Sequence, residues 1–296
     1  MPMLGVIESL AAREFERAIR PLARRLNQRR RDRALEAGVV DKDTVARAAS
    51  EWWGADAPWC RDDSPPRRQN RIAPLIDGAS YLAALVEEIE AARQYIFVAG
   101  WCLTPHMPLL RDGRETLETS QVMALLMDAA RRVPVRILLW SGAPFVIQPT
   151  VRATREVKRV IDDEARRLGV DLVCELDSTA HVSHCHHQKT VVIDGRVAFV
   201  GGMDITTFQG DRWDESRHPL RAGLNWHDVQ TKIEGETVAD VERNFRQRWG
   251  ETAATPLPEP GQSVVTPAMQ TPAQIIRTIP PRTYDFASEG IFGIHH

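Results

Sequence analysis

The sequence contains a cluster of histidines followed by a lysine, in HCHHQKTVVIDGRVAFVGGMDIT, residues 184–206. QKTVVI and RVAFVGG are β-branched, apolar runs separated by Asp194-Gly195, so the pattern predicts a β-hairpin with these two residues at the turn. Residues two apart in a strand share a face. His187 and Lys189 are therefore expected to project the same way, with Asp194 away from them.

A histidine beside a lysine suits the chemistry of a phosphodiester anion. The lysine supplies a fixed charge and donors for the non-bridging oxygens, while a neutral imidazole can attack phosphorus or transfer a proton. Such a site needs neither a metal nor a cofactor. A carboxylate on the second imidazole nitrogen would fix the tautomer and stabilise the cation. Asp228, in NWHDVQTKIEG, is the candidate for that carboxylate.

The same segment has other interpretations. A zinc cluster is one, but these histidines precede a strand and lack helical spacing or an evident Cys or carboxylate partner; they are His181, His184, His186 and His187. By alternation, His186 is expected to face away from His187 and to be packed or hydrogen-bonded. Cys185 is expected to be a small buried thiol rather than a redox switch.

Helical and extended patterns alternate through the middle of the chain. Three stretches each read as a helix followed by an apolar strand: LIDGASYLAALVEEIEAARQYIFVAGW, SQVMALLMDAARRVPVRILLW and VRATREVKRVIDDEARRLGVDLVCEL. In the first, Asp77-Gly78 is expected to form a turn ahead of a helix of about residues 79–92. The alternation predicts an α/β sandwich, a single lobe with a mixed, largely parallel sheet flanked by helices.

Composition limits the class of protein. The 296 residues are 43% hydrophobic and 26% charged with a net charge of -2, which predicts a soluble globular chain and gives no global reason to expect nucleic acid. No apolar run reaches the roughly 20 residues of a membrane-spanning helix, and the N-terminus lacks a secretory pattern. A cytoplasmic protein is therefore expected. Four scattered cysteines without a C-x-x-C pair indicate neither a zinc ribbon nor a disulfide framework.

Three regions are predicted along the chain. Residues 1–70 contain an Arg-rich helix, residues 11–38, and a Trp/Pro-rich linker; residues 71–250 form the compact lobe; residues 251–296 are a Pro/Thr-rich tail. The Arg-rich helix is either a solvated surface helix or an arm that lies on an anionic membrane, which would make the protein peripheral to it.

The spacing His187-x-Lys189-x4-Asp194, followed by Gly201-Gly202 and Asp204, resembles the HKD motif of the phospholipase D superfamily. GDRWDESRHPL, the segment around Asp228, and IIRTIPPRTYDFASEGI are also similar to the first catalytic lobe of plant-like and bacterial phospholipases D. The resemblance extends from about residue 71 to the end of the sequence.

This resemblance implies a role for each matching residue. His187 would form a phosphohistidine intermediate, and Lys189 would bind the phosphoryl oxygens. Asp194, the motif aspartate, would support the site. Asp228 would orient the nucleophilic imidazole. The expected substrate-binding positions beside the phosphate and at the rim of the site are Gly202, Asp204 and Trp101.

One departure from the family pattern is large. Family members of this type carry two HKD motifs, and the second histidine protonates the leaving alcohol, whereas this sequence contains a single His-x-Lys. The sequence predicts a truncated chain, a lobe that pairs with a copy of itself, or a remnant. The tail, residues 251–296, resembles the bridge to a missing second lobe.

Three functions follow from these patterns. The first is a phospholipase D-type phosphodiesterase that cleaves phospholipid headgroups by hydrolysis or transphosphatidylation and is incomplete without a second HKD motif in trans. The second is a dimeric HKD nuclease, ranked lower because no basic strip with interleaved aromatics accompanies the motif. The third is a non-catalytic, membrane-associated remnant in which the Arg-rich helix matters more than His187.

Overall fold

The computed structural model describes residues 59–60, 63–110, 118–143, 148–180, 184–208 and 227–293. The described residues from Cys60 onward belong to one compact unit. The predicted Arg-rich helix, most of the linker, His181 and the GDRWDESRHPL segment lie outside the described residues. The sequence places the start of the lobe near Arg71, and the first described strand begins at Arg67; the domain boundaries remain predictions.

The described elements are ten strands, four α-helices and two short 3₁₀ helices, Glu118–Ser120 and Asp285–Ala287. The strands are β1 (Arg67–Ile76), β2 (Ile96–Gly100), β3 (Val135–Trp140), β4 (Leu172–Asp177), β5 (Lys189–Ile193), β6 (Val197–Gly201), β7 (Val229–Gly235), β8 (Thr271–Ala273), β9 (Thr278–Ile279) and β10 (Ile291–Phe292). The helices are α1 (Asp77–Ala91), α2 (Val122–Ala129), α3 (Val151–Leu168) and α4 (Val238–Thr252).

Eight of these strands form one sheet in the order β4-β3-β2-β5-β6-β7-β1-β8. The predicted α/β class with a mixed sheet flanked by helices is confirmed. Parallel pairing, however, is confined to β2 with β3 and β3 with β4, whereas the other five pairs are antiparallel. The sheet is therefore not largely parallel. Helices α2 and α3 connect the parallel neighbours β2, β3 and β4, and the hairpin β5–β6 extends the sheet in the antiparallel sense.

The strands at the centre of the sheet bury side chains on both faces. Ile96 and Val98 pack into the larger core, which includes side chains of α1, α2 and α3. Phe97 and Ala99, which alternate with them, pack into a second core together with α4. Burial on both faces explains why β2 is a continuous apolar run, because neither face meets water.

The entry into α1 differs from the sequence prediction. Asp77-Gly78, expected as a turn, are the first residues of the helix, and Asp77 has a positive φ of 64°. The backbone N–H of Asp77 donates to the carbonyl oxygen of Asp228 at 2.9 Å. The buried carboxylate of Asp77 accepts the N–H of Asp228 and lies 2.8 Å from Nδ1 of His227. This cluster fixes the segment that leads into β7.

The C-terminal segment packs against the lobe. β8 pairs with β1 at the edge of the sheet, and β9 pairs with β10. Ile279, Tyr284 and Ala287 form a small buried cluster of their own. No helix among the described residues is both long enough and apolar enough to cross a bilayer.

Candidate active site

The candidate residues meet at one end of the sheet. Since β2, β3, β4 and β6 run in one direction and β5 and β7 in the other, the ends of the first four strands lie beside the starts of the last two. Lys189 begins β5, Gly201 ends β6, and Asp228 directly precedes β7. Trp101 directly follows β2. The sheet therefore brings together residues that are up to about 130 positions apart.

Asp194 lies at the opposite end of the hairpin, as predicted. Asp194 and Gly195 have φ values of 57° and 61°, and Arg196 completes a three-residue loop, one residue longer than the predicted turn. The Asp194 carboxylate accepts the N–H groups of Arg93, Gln94 and Tyr95 at 2.8, 2.7 and 3.0 Å. It therefore ties the hairpin to the start of β2.

His187 and Lys189 both flank the Trp101 ring. The ring centroids of His187 and Trp101 are 5.3 Å apart at an interplanar angle of 63°. Nζ of Lys189 lies 5.7 Å from the Trp101 ring, within cation–π range. Trp101 in turn stacks on Trp140 at 6.3 Å. The two side chains therefore project to the same side, as the strand alternation predicts.

The ammonium of Lys189 is buried and already has two partners. Nζ donates to the carbonyl oxygen of His187 at 3.1 Å and pairs with Oδ2 of Asp204 at 2.9 Å. Oδ1 of Asp204 accepts the N–H of Trp101 at 2.9 Å. An ammonium has three hydrogens, so one remains for a further acceptor. Asp204 thus holds both Lys189 and the start of the Trp101 segment.

The surroundings of His187 favour its neutral form. Partial burial lowers the pKa of His187 below its ordinary value of 6.5, and the nearby charge of Lys189 lowers it further; the charge of Asp204 opposes them. A lowered pKa leaves the imidazole unprotonated at neutral pH. The nitrogen lone pair that nucleophilic attack needs is then available.

Gly201 and Gly202 are bare because other chain segments lie against them. A Cβ at Gly202 would lie 2.6 Å from Oδ2 of Asp228, and one at Gly201 would lie 2.7 Å from the Cα of Gln230. The Asp228 carboxylate accepts the N–H of Val229 at 2.7 Å. In the described part of the chain no hydrogen bond joins Asp228 to His187, so its orienting role remains a prediction, as do the substrate contacts of Gly202, Asp204 and Trp101.

The residues on either side of His187 face the opposite way, toward α4. Nε2 of His186 lies 3.3 Å from Oδ1 of Asp177 and 3.0 Å from the Tyr284 hydroxyl. Oε1 of Gln188 accepts hydrogen bonds from Arg248 at 2.8 Å and from Asn244 at 2.9 Å. His186 is hydrogen-bonded, as expected. Sequence reasoning did not single out Asp177, Arg248 or Tyr284, because their partners are distant along the chain.

A cavity of about 390 Å³ opens beside this loop. It is bounded on one side by the loop residues 184–188 and on the other by the C-terminal residues Thr278–Pro280, Thr283 and Tyr284. Cys185 lines it and is exposed, so the expectation of a buried thiol is wrong. Among the described residues no group of three or more His, Cys, Asp or Glu side chains is arranged to hold a metal ion.

Comparison with known proteins places the site in a family. Residues 88–225 match the family model described as "Phospholipase D". The chain is 31% identical over 209 residues to Phospholipase D B of Dictyostelium discoideum, covering 59% of this chain and 17% of that protein. It is 28% identical over 207 residues to Phospholipase D alpha 4 of Arabidopsis thaliana, covering 54% of this chain and 26% of that protein.

Two solved structures are also similar. NucT from Helicobacter pylori is 14% identical with a TM-score of 0.40, covering 63% of this chain and 100% of that chain. Nuc from Salmonella typhimurium, a phospholipase D family member, gives the same identity and TM-score, covering 64% and 97%. The chain spans about a quarter or less of the curated relatives named above. The segment from 88 to 225, which contains His187, Lys189 and their partners, belongs to the phospholipase D superfamily.

Proposed function

We propose that this chain is a phospholipase D-type phosphodiesterase that cleaves phospholipid headgroups through a phosphohistidine intermediate on His187. The observation that supports it is the placement of His187 and Lys189 against the same Trp101 ring. A neutral imidazole and an ammonium then lie side by side where a tetrahedral anion could approach both. The family match of residues 88–225 supports the same class of reaction.

The reaction takes place in two displacements. A nitrogen of His187 attacks phosphorus, an N–P bond forms, and the P–O bond to the headgroup alcohol breaks. The leaving oxygen takes a proton from a general acid. Water or a second alcohol then attacks phosphorus and the N–P bond breaks, which gives phosphatidic acid or a new phosphatidyl ester. The remaining N–H of Lys189 stabilises charge on the non-bridging oxygens.

The general acid is the part that we assign to a second motif in trans. Among the described side chains, Lys189 is the ammonium beside His187, and Asp204 already pairs with it. A second lysine and a second histidine would supply both the missing positive charge and the proton. A second copy of this chain or a second lobe would provide them, and general acid assistance is worth roughly 10²- to 10⁴-fold.

Phosphatidylcholine vesicles test the activity. We expect release of choline and phosphatidic acid, and phosphatidylethanol when ethanol is present. His187→Ala should abolish both products. His106→Ala removes another exposed histidine, one that pairs with Gln121 outside the site, and should leave the rate unchanged. Absence of both products at high protein concentration would contradict the phospholipid assignment, and cleavage of single-stranded DNA instead would indicate a nuclease.

Protein concentration tests the contribution in trans. If two copies share one site, specific activity rises with concentration in parallel with the dimer fraction measured by sedimentation. Constant specific activity in a monomer would contradict the sharing of a site.

The Arg-rich segment, residues 11–38, is proposed to hold the protein on anionic membranes. Co-sedimentation of the full chain with phosphatidylserine vesicles, weakened by salt, would support this proposal, and equal binding to neutral vesicles would contradict it.

A further inference from the structure

The loop that carries His187 is fixed from behind by a buried polar network. Asp177, Arg248 and Tyr284 are 0%, 1% and 3% exposed. The Arg248 guanidinium donates to Oδ2 of Asp177 at 2.9 Å and to the Tyr284 hydroxyl at 2.9 Å. The Tyr284 hydroxyl also donates to Asp177. These three residues come from β4, α4 and the C-terminal segment, so the network joins three separate parts of the lobe.

The network holds the two neighbours of His187 and leaves His187 itself to face the other way. It binds His186 through Asp177 and Tyr284, and it binds Gln188 through Arg248. In an extended segment alternate side chains point to opposite faces. Fixing residues 186 and 188 on the α4 side therefore turns residue 187 toward Trp101. Asn244 also donates to Gln188, and Arg277 donates to Asn244, which ties this side of the loop to the tail.

We propose that Asp177, Arg248 and Tyr284 are positioning residues that orient His187 through His186 and Gln188. The C-terminal segment is then part of the active centre, because Tyr284 reaches the loop from outside the β-sheet. This inference rests on the proposed role of His187. A nucleophile must lie within a few tenths of an ångström of its attack position, and a displacement of about 1 Å costs up to 10²-fold in rate.

The chain offers a matched pair of variants. Tyr284→Phe removes one buried hydroxyl and retains the ring, which stacks on Phe286 at 4.9 Å. Tyr95→Phe removes another buried hydroxyl that donates to a carboxylate, that of Glu242 at 2.8 Å, and that accepts the N–H of Gly261. Tyr95 precedes β2, whereas the Tyr284 hydroxyl binds Asp177 at the end of β4, which runs in the same direction as β2. The Tyr95 and Tyr284 hydroxyls therefore lie at opposite ends of the sheet. Both variants should lower the melting temperature similarly.

Only Tyr284→Phe should affect the His187 loop. We expect kcat on a small phosphodiester to fall roughly ten- to a hundredfold with KM within about twofold, and amide hydrogen exchange in residues 184–189 to accelerate. Tyr95→Phe should do neither. Equal kcat in the two variants, with unchanged exchange in the loop, would overturn the inference. If the wild type has no activity, the proposed function fails and hydrogen exchange alone decides whether Tyr284 holds the loop.

A second pair covers the case in which Tyr284→Phe does not fold. Gln188→Leu removes the acceptor for Arg248 and Asn244, whereas Gln188→Glu retains an acceptor oxygen at the same place. We expect Gln188→Leu to lower kcat and accelerate exchange as Tyr284→Phe does, and Gln188→Glu to recover most of the loss. Wild-type kcat and exchange in Gln188→Leu would contradict the positioning role.

Discussion

The Nζ atom of Lys189 lies 2.9 Å from Oδ2 of Asp204, and these side chains are only 5% and 3% exposed. The pair lies directly beneath the Trp101 segment, whose N–H also binds Asp204. A buried ammonium is costly unless it is paired, so Asp204 is what allows Lys189 to be present at this end of the sheet. Substitutions of Lys189 and Asp204 can therefore distinguish a loss of stability from a loss of activity.

Removing one member of this pair should destabilise the fold. We expect Asp204→Asn to lower the free energy of unfolding by about 3–5 kcal/mol, because a buried ammonium loses its counter-charge. The double variant Lys189→Met/Asp204→Leu should recover most of that stability yet remain inactive. Urea denaturation measures the free energy of unfolding of both variants. Arg71→Gln, which breaks the exposed pair with Glu234, is the control and should change little. An Asp204→Asn protein as stable as the wild type would contradict this account.

The pKa of His187 should lie below 6.5. Partial burial first, and then the charge of Lys189, disfavour the imidazolium. The folded protein thus binds this proton less well than the unfolded chain, so this group's contribution to stability is present above pH 6.5 and is lost as the pH falls through the folded pKa. NMR titration of the ring protons, assigned with His187→Gln, measures the value. Lys189→Met should raise it. A pKa at or above 6.5 in the wild type would contradict the proposed neutral nucleophile.

Gly202 and Asp228 should be coupled. A methyl group at residue 202 would press on the Asp228 carboxylate, so Gly202→Ala should cost about 1–3 kcal/mol of stability. In an Asp228→Ala background the same substitution should cost less, with a coupling of about 0.5–3 kcal/mol in a double-mutant cycle. Denaturant unfolding of the four proteins gives this coupling. Additive effects would mean that the glycine is needed for another reason.

Asp194 should act on stability rather than on the reacting atoms. Asp194→Ala leaves three backbone N–H groups without their acceptor and places alanine at a positive φ, so we expect a loss of about 1–3 kcal/mol. Asp194→Asn should cost less because it retains one acceptor oxygen and tolerates this φ. Below the unfolding transition, activity should fall far less than in His187→Ala. A loss of activity equal to that of His187→Ala would place Asp194 among the groups that act on substrate.

Local sequence patterns predict the parts of the site that depend on neighbours in the chain. The β-branched runs around Asp194-Gly195 predict the hairpin, and period-two alternation places His187 with Lys189 and His186 on the other side. The same alternation cannot reveal the partners of His186 and Gln188. Those partners, Asp177, Arg248 and Tyr284, meet the loop only in the folded lobe.

The whole fold also determines the direction in which strands pair and the places where local structure departs from the sequence pattern. Alternating helices and strands indicate parallel pairing, yet β5 enters the sheet antiparallel to β2, and no local pattern reveals this. Asp77-Gly78 has the sequence of a turn, but the buried Asp77 carboxylate binds the segment before β7, so the helix begins there. The match to the phospholipase D family accounts for the spacing of the motif more directly than propensity does.

The covalent intermediate tests the central claim most directly. The protein is mixed with bis(p-nitrophenyl) phosphate, quenched at alkaline pH within one turnover, digested and measured by mass spectrometry. We expect a p-nitrophenylphosphoryl adduct on His187, formed with one equivalent of p-nitrophenol and absent from His187→Ala. Turnover without an adduct on His187, or an adduct on another residue that persists in His187→Ala, would contradict the claim that His187 is the nucleophile.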